Sequence, residues 1–303
     1  MAVWAWIALA VMAAGMQSLR TAGQKVLTGS LDAVSVTLTR FLFGLPFAWL
    51  YLALLLAHDP APPPPFNAGF WFAASAAALA QIAGTVLLLH LFSLRNFAVG
   101  NAYVRTEALL TGLVGTLFFG EALAWAGWVG IGVSVAGVLL ISLARSGLVG
   151  RALVTGLWQR ATLVGLGAGL CFALSSLFIR NASLSLGDGR ALLTAALTLA
   201  TVVGMQTLLL GGYLMARRPG QLAAVARAWR LGLFIGVTSI LGSFGWFTAM
   251  TLERAAYVKA VGQVELLFTL ALAILYFRER ASPRELAGMA LLSLGIVVLL
   301  ASL

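Results

Sequence analysis

The sequence contains little charge, one cysteine and two histidines. Charged residues make up 9% of the 303 residues and hydrophobic residues 61%, with a mean hydropathy of +1.01. Soluble chains carry about 25% charged residues, so this composition excludes an ordinary soluble enzyme. Cys171 cannot form an internal disulfide, and His58 and His90 are too few for a histidine-rich metal centre. We therefore predict no metal and no cofactor.

Long apolar runs occupy almost the whole chain. A bilayer core about 30 Å thick requires about 20 apolar residues in a helix, because every backbone polar group must be satisfied within the segment. The sequence predicts an all-α membrane protein with ten transmembrane helices. They cover residues 3–23, 33–56, 69–92, 97–119, 123–144, 162–181, 190–215, 231–251, 256–277 and 284–302. The segments between them are too short for a soluble catalytic domain.

The two halves of the sequence repeat each other. A shift of 158 residues aligns the third to fifth spans with the eighth to tenth without a gap. The matched pairs include Gly84 and Gly242, Glu107 and Glu265, Thr111 and Thr269, Glu121 and Glu279, Gly130 and Gly288, and Gly137 and Gly295. We predict two five-helix repeats, residues 1–147 and 148–303. Because five is odd, the second repeat enters the membrane from the opposite side, which is the inverted architecture of many secondary transporters.

Three short motifs carry a resemblance to a known family. They are Thr39-Arg40-Phe41 in the second span, Phe119-Gly120-Glu121 closing the fourth and Phe277-Arg278-Glu279-Arg280 closing the ninth. In order and spacing they resemble the EamA-type ten-helix branch of the drug/metabolite transporter superfamily. The resemblance implies a membrane carrier that often exports small organic solutes. The family also often places Glu-Pro within the fourth and ninth helices, whereas Ala108 and Leu266 replace the proline here.

The glutamates within the spans are the first candidate site residues. Tyr103, Glu107 and Thr111 recur every four residues and share one face of a helix, and Glu265 and Thr269 repeat this pattern. An ionisable residue in a membrane span usually marks a cavity or a partner. One hypothesis is that both acids face a polar cavity, where one of them binds a proton or a substrate amine. The alternative is a fixed hydrogen bond that never changes state.

Other polar residues within the spans are further candidates. Arg40 is expected either to pair with a glutamate or to contact a substrate carboxylate, and Arg105 lies deeper in its span, where snorkelling to the interface explains it less readily. Lys259 lies near a span end, where snorkelling to the interface is the favoured interpretation. Gln17 is a polar residue in the first span, and Trp246 lies in the middle of the eighth.

Basic residues are distributed unevenly between the two sides of the membrane. The net charge of +10 is attributed to orientation, and no nucleic-acid partner is predicted. Thirteen basic residues fall on one side: Arg20, Lys25, Arg95, Arg145, Arg151, Arg160, Arg217, Arg218, Arg227, Arg230, Arg278, Arg280 and Arg284. Three fall on the other side, together with both termini: Arg180, Arg190 and Arg254. In a cell (inner) membrane the positive-inside rule places both termini outside, whereas the family resemblance implies that they are inside.

These features predict a secondary transporter that exports a small organic metabolite, amino-acid-like or drug-like, by alternating access. Its expected partners are the lipid bilayer and a small solute, with protons as a candidate coupling ion; the oligomeric state is left open. A membrane-embedded enzyme is an alternative, although His-Glu-x-x-His, Gly-x-Ser-x-Gly and Walker motifs are absent from the sequence. A passive channel or a scaffold is another alternative. Saturable counterflow of a specific solute would distinguish a carrier from all of these.

Overall fold

The computed structural model describes residues 4–91, 104–146, 160–268 and 282–301, with side chains described as far as residue 141 in the second range. Within these ranges the chain forms α-helices and no β-strand. In chain order the helices are α1 Ala5–Leu27, α2 Ala33–His58, α3 Ala68–Leu91, α4 Glu107–Phe118, α5 Trp125–Ser146, α6 Arg160–Ser185, α7 Ala191–Arg217, α8 Pro219–Arg227, α9 Trp229–Leu252, α10 Ala255–Gly262 and α11 Pro283–Leu300.

Six helices in the described part of the chain are long and apolar enough to cross a bilayer. They are α2, α3, α6, α7, α9 and α11, and each overlaps one of the predicted spans. Helix α1 overlaps the predicted first span but is not among the six, and its second half carries Arg20 and Lys25. Helices α4 and α5 supply shorter apolar segments. The structure therefore confirms a helical membrane fold and matches six of the ten predicted spans at full length.

The helix boundaries follow the sequence repeat. Helix α2 begins at Ala33 and α7 at Ala191, which are 158 residues apart. Helix α5 begins at Trp125 and α11 at Pro283, with the same separation. The 158-residue shift therefore relates the beginnings of helices as well as individual residues, and we call helices related by it repeat-equivalent.

The chain packs as two compact units, and each takes helices from both halves of the sequence. The first unit contains Met1–Val86 and Ser175–Glu253, and the second contains Leu87–Leu174 and Arg254–Leu303. Helices α1, α2, α7, α8 and α9 belong to the first unit, whereas α4, α5, α10 and α11 belong to the second. The predicted domains 1–147 and 148–303 follow the sequence repeat instead, and they stay a prediction.

In the first unit, the repeat-equivalent helices α2 and α7 are antiparallel. Arg218 follows α7 and pairs with Asp32 at the start of α2, with 2.6 Å between Nη1 and Oδ2. At the opposite ends, Arg190 precedes α7 and pairs with Asp59 after α2, with 2.9 Å between Nη1 and Oδ2. Antiparallel packing of equivalent helices is the relationship that an inverted repeat requires.

Glycines bring α9 into close contact with both α1 and α2 in the first unit. A Cβ atom on Gly236 would lie 2.6 Å from the carbonyl oxygen of Phe43 on α2, and one on Gly245 would lie 2.6 Å from that of Leu9 on α1. Such distances leave no room for a side chain. The sequence spacing of Gly232 and Gly236 suggests close helix packing, and the contact of both with Phe43 confirms it.

In the second unit, the repeat-equivalent helices α5 and α11 cross at two reciprocal glycine contacts. A Cβ atom on Gly130 would lie 2.8 Å from the oxygen of Gly295, and one on Gly288 would lie 2.8 Å from the oxygen of Gly137. Gly130 is repeat-equivalent to Gly288, and Gly137 to Gly295. Because the earlier glycine of each helix meets the later glycine of the other, these helices are also antiparallel and are related by a local two-fold axis.

Candidate functional site

The second unit contains two helix interruptions at repeat-equivalent positions. Residues 105 and 106 form a turn between the helical Val104 and the first residue of α4, Glu107. Residues 263 and 264 form a turn after α10, and the chain is helical again at residues 265–268. Discontinuous membrane helices are typical of the substrate and ion sites of secondary transporters.

Short-range hydrogen bonds form the interruption after α10. The N–H groups of Gln263, Val264 and Leu266 donate to carbonyl oxygens three residues earlier, over 3.0 to 3.2 Å. This is the tighter 3₁₀ pattern rather than the α-helical one. Gly262 ends α10, and glycine is a poor helix former. The chain therefore breaks its helix here without the proline that the family often uses.

Two ion pairs lie beside the interruptions. Lys259 Nζ is 2.7 Å from Glu107 Oε1, and Arg105 Nη1 is 2.9 Å from Glu265 Oε2. The four side chains are between 6% and 21% exposed. Each pair joins an acid from one sequence half to a base from the other, and the cluster is neutral when all four groups are ionised. We call these four residues the charge cluster.

The charge cluster and the neighbouring Gln263 contain polar atoms that have no partner among the described residues. Gln263 Nε2 donates to the carbonyl oxygen of Arg105 over 3.3 Å. Gln263 Oε1 and Arg105 Nε are buried and have no hydrogen-bond partner within the described residues. Buried polar atoms are normally satisfied. Unused hydrogen-bonding capacity, one acceptor and one donor, therefore lies beside the ion pairs.

Three residues predicted to share a helix face with Glu107 or Glu265 remain, and the structure describes one of them. Thr111 is fully buried, and its hydroxyl donates to the carbonyl oxygen of Glu107 over 2.7 Å. This is an internal bond of α4, so the structure assigns Thr111 a local helical role. Tyr103 and Thr269 lie outside the described residues.

Arg40 lies in the first unit and is 4% exposed. Its Nε donates to Ser239 Oγ over 2.8 Å and its Nη1 to Thr85 Oγ1 over 3.4 Å. Its guanidinium group also lies 5.0 Å from the centre of the Phe41 ring. No carboxylate of the described residues contacts Arg40, so of its two expected roles the glutamate pair is not found among them, and contact with a substrate carboxylate stays a prediction.

Gln17 and Trp246 contact each other in the first unit. The Trp246 indole N–H donates to Gln17 Oε1 over 3.2 Å, and Trp246 is 7% exposed. A buried indole N–H usually has such an acceptor. Gln17 and Trp246 are separate candidate site residues in the sequence. In the structure they form one contact between α1 and α9.

Several residues of these sites were not predicted. Lys259 has a carboxylate partner rather than the interfacial position favoured by its place in the sequence. Thr85 carries no signal in the sequence pattern, whereas Gln263 is repeat-equivalent to Arg105, and this equivalence marks it as a further candidate. In the described part of the chain no group of three or more His, Cys, Asp or Glu side chains could hold a metal ion.

Comparisons with known proteins match both halves of the chain. The model of a family described as the EamA-like transporter family matches residues 4–143 and again residues 159–301. No curated protein matches the chain. One solved structure, titled only as the crystal structure of a protein, is similar over 99% of this chain and 96% of its own, with a TM-score of 0.68 and 17% identity. At that identity the similarity concerns the fold alone.

Proposed function

This chain belongs to the EamA-like transporter family, and we propose that it exports a small organic metabolite by alternating access. It is an integral, multi-pass membrane protein. The proposed solute is amino-acid-like or drug-like, and its proposed site includes the charge cluster of Glu107, Lys259, Arg105 and Glu265.

One observation carries the proposal: two interrupted helices bring two ion pairs together in segments that are otherwise apolar. Charged groups in membrane spans are costly, and those that occur usually line substrate or ion pathways. Interrupted helices expose backbone groups that can bind a solute. This chain has both features at repeat-equivalent positions and belongs to a family of transporters. Together these observations support solute binding at the charge cluster.

The two acids have different partners, and this supports different roles for them. An arginine stays protonated under all ordinary conditions, whereas a lysine can lose its proton when it is buried. Glu107, paired with Lys259, is therefore the better candidate to exchange a proton or to release its partner to a substrate amine. Glu265, held by the permanently charged Arg105, is the better candidate for a fixed anchor.

Alternating access is supported by the pairing of repeat-equivalent helices. Both α2 with α7 and α5 with α11 are antiparallel, and the α5–α11 crossing has a local two-fold symmetry. In inverted-repeat carriers, rigid movement of one bundle against another opens the site to each side in turn. Two halves of one architecture, inserted in opposite directions, are suited to adopt two equivalent conformations.

We further propose that both termini lie outside a cell (inner) membrane. The uneven distribution of basic residues supports this orientation, because thirteen of them fall on the side opposite to the termini. A reporter fused after Leu303 and active only in the cytoplasm tests it. Reporter activity would place the C-terminus in the cytoplasm and contradict the proposed orientation.

The proposed function is tested by counterflow in proteoliposomes. Purified protein is reconstituted, loaded with a panel of amino acids, other metabolites and drugs, and assayed for exchange with labelled external solute across a pH gradient. Glu107→Gln is expected to lower the exchange rate at least about tenfold and to flatten its pH dependence. Glu253→Gln, at the end of α9 and outside the charge cluster, is the matched control and should retain the wild-type rate.

Each alternative class gives a different result in this assay. A channel would pass solute without saturation, a scaffold would pass none, and an enzyme would change the solute chemically. Saturable exchange that is unaffected by both Glu107→Gln and Glu265→Gln would retain the transporter and remove the charge cluster from its mechanism.

A further inference from the structure

The first unit has no acidic residue within its helical spans. Its four acids all lie at helix ends or in loops: Asp32, Asp59, Asp188 and Glu253. Asp32 and Asp59 each pair with an arginine there, and Asp188 shares Arg190 with Asp59. The spans of this unit nevertheless contain buried positive charge.

Arg40 is the clearest case of this positive charge. It is the eighth residue of α2, so it lies about 10 Å along the helix axis from the first residue at 1.5 Å per residue. Its two hydrogen-bond partners among the described residues, Ser239 and Thr85, are neutral hydroxyls. They orient the guanidinium group but do not neutralise it. A buried charge normally has an opposite charge as its partner.

A second buried arginine lies close to Arg40. Arg20 is 6% exposed and lies seven residues before the end of α1, at a similar distance from the loop that joins α1 to α2. It is close enough to Arg40 for their charges to repel each other. One turn later on the same face of α1, the buried Gln24 Nε2 has no hydrogen-bond partner within the described residues.

We propose that Arg40 binds the carboxylate group of the transported solute. The guanidinium fork matches a carboxylate in shape and can donate two hydrogen bonds to it. Ser239 accepts from Nε and Thr85 accepts over the longer distance from Nη1, which leaves both N–H groups of Nη2 and the second N–H of Nη1 for a carboxylate. The inference rests on the proposed function and narrows it: the solute is an organic anion or a zwitterion.

The first measurement is ligand-dependent thermal stability of the purified full-length protein. The probes are the amino acids with their C-terminal amides, and short aliphatic and aromatic carboxylic acids with their primary amides. We expect at least one acid to raise the Tm and its amide to leave it unchanged. Inorganic phosphate and chloride are included, because either could occupy the same guanidinium group.

The variants are chosen to separate binding from folding. Arg40→Gln should abolish the rise in Tm produced by the active acid, whereas Arg217→Gln, an exposed arginine in the last turn of α7, should retain it. If Arg40→Gln does not fold, Ser239→Ala keeps the guanidinium group and removes one orienting hydroxyl. It should weaken binding of the same acid about fivefold, the usual effect of one hydrogen bond.

The possible outcomes distinguish this inference from the proposed function. Transport of a neutral or cationic solute that Arg40→Gln leaves unchanged would overturn the inference and retain the transporter. Binding of an acid that requires Arg40, without transport of any solute, would retain the carboxylate site at Arg40 and overturn the proposed export. Equal effects of an acid and its amide, or an effect of inorganic anions alone, would overturn the carboxylate site.

Discussion

Lys259 Nζ lies 2.7 Å from Glu107 Oε1, so a lysine of the second sequence half neutralises a glutamate of the first. The two glutamates of the charge cluster are repeat-equivalent, but their basic partners are not. The residue equivalent to Lys259 is Asn101, and the residue equivalent to Arg105 is Gln263. The two repeats therefore share the glutamate at this position but differ at the positions of the basic residues. As a result, one glutamate is paired with a lysine and the other with an arginine.

We first predict that Lys259→Met destabilises the protein more than the double variant Glu107→Gln with Lys259→Met. The single change leaves the carboxylate of Glu107 buried without its partner, which costs about 3 kcal/mol in comparable buried pairs. The double change removes both charges. A double-mutant cycle on the free energy of unfolding, measured by denaturation in detergent micelles, checks the prediction.

A second double-mutant cycle, which shares the Lys259→Met variant, is the control. Glu285→Gln with Lys259→Met combines changes at a capping glutamate of α11 and at the charge cluster, and the two effects should simply add. If the energies of the Glu107 and Lys259 variants also add, the ion pair contributes nothing to stability and its role would have to be sought in transport alone.

The second prediction concerns the crossing of α5 and α11. Gly137→Ala should lower the free energy of unfolding by at least about 2 kcal/mol, because its Cβ atom would lie within 2.6 Å of the oxygen of Gly288 and backbone atoms cannot move aside cheaply. Gly132→Ala is the matched control on the same helix, since a Cβ atom there has no neighbour within 4 Å.

The control should be neutral or stabilise the protein by up to about 1 kcal/mol, the difference in helix propensity between alanine and glycine. Thermal unfolding of the two variants in the same detergent measures both effects. Equal Tm values would mean that the two helices do not meet at these glycines.

The sequence predicts much of this fold because the repeat and the bilayer constrain it. The apolar runs predict α2, α3, α6, α7, α9 and α11 closely, and the glycine pairs of the repeat are the contacts of the α5–α11 crossing. An apolar run of span length has few alternatives to a helix in lipid. The identity and position of these elements therefore follow from local composition.

The partners of the charged residues could not be predicted in the same way. On one continuous helix, Arg105 and Glu107 would lie on different faces. The turn at residues 105 and 106 changes this geometry, and the residue that meets Arg105 is Glu265, far away in the sequence. Pairing of this kind depends on tertiary packing, which periodicity does not encode.

The third prediction tests the interruption before α4. Ala108→Pro should cost less than half as much unfolding free energy as Leu113→Pro. Ala108 is the second residue of α4, where the N–H has no acceptor within the helix, whereas a proline in the helix interior costs about 3 kcal/mol or more. Leu113 is 43% exposed, so its replacement mainly reports the backbone effect.

Ala108→Val controls for the added side-chain volume at this buried position. Comparison of the Tm values of the three variants separates volume from backbone geometry. Equal losses from Ala108→Pro and Leu113→Pro, after this correction, would indicate a helix that continues through residues 105 and 106.

The last prediction concerns pH and the loop network around Arg190. Hydrogen bonds from the Arg190 side chain and backbone lower the pKa of Asp188 below its usual value of 3.8. The backbone N–H of Ala61, followed by Arg190, does the same for the pKa of Asp59. A carboxyl group with a lowered pKa in the folded state stabilises the fold above its unfolded pKa, and this contribution is lost as the pH falls through the folded value.

Arg190→Gln should therefore lower the Tm at pH 7, and its difference from wild type should shrink as the pH falls below about 4, where the carboxylates become protonated in both proteins. Arg217→Gln should show a small difference that does not depend on pH in this range, because no described carboxylate pairs with it. Thermal unfolding from pH 7 to pH 2.5 measures both curves. A difference in Tm between Arg190→Gln and wild type that stays constant over the whole range would contradict the prediction. Because carbonyl acceptors do not titrate, it would mean that Arg190 stabilises the loop through its hydrogen bonds to the Ala61 and Pro62 carbonyl oxygens and not through the two carboxylates.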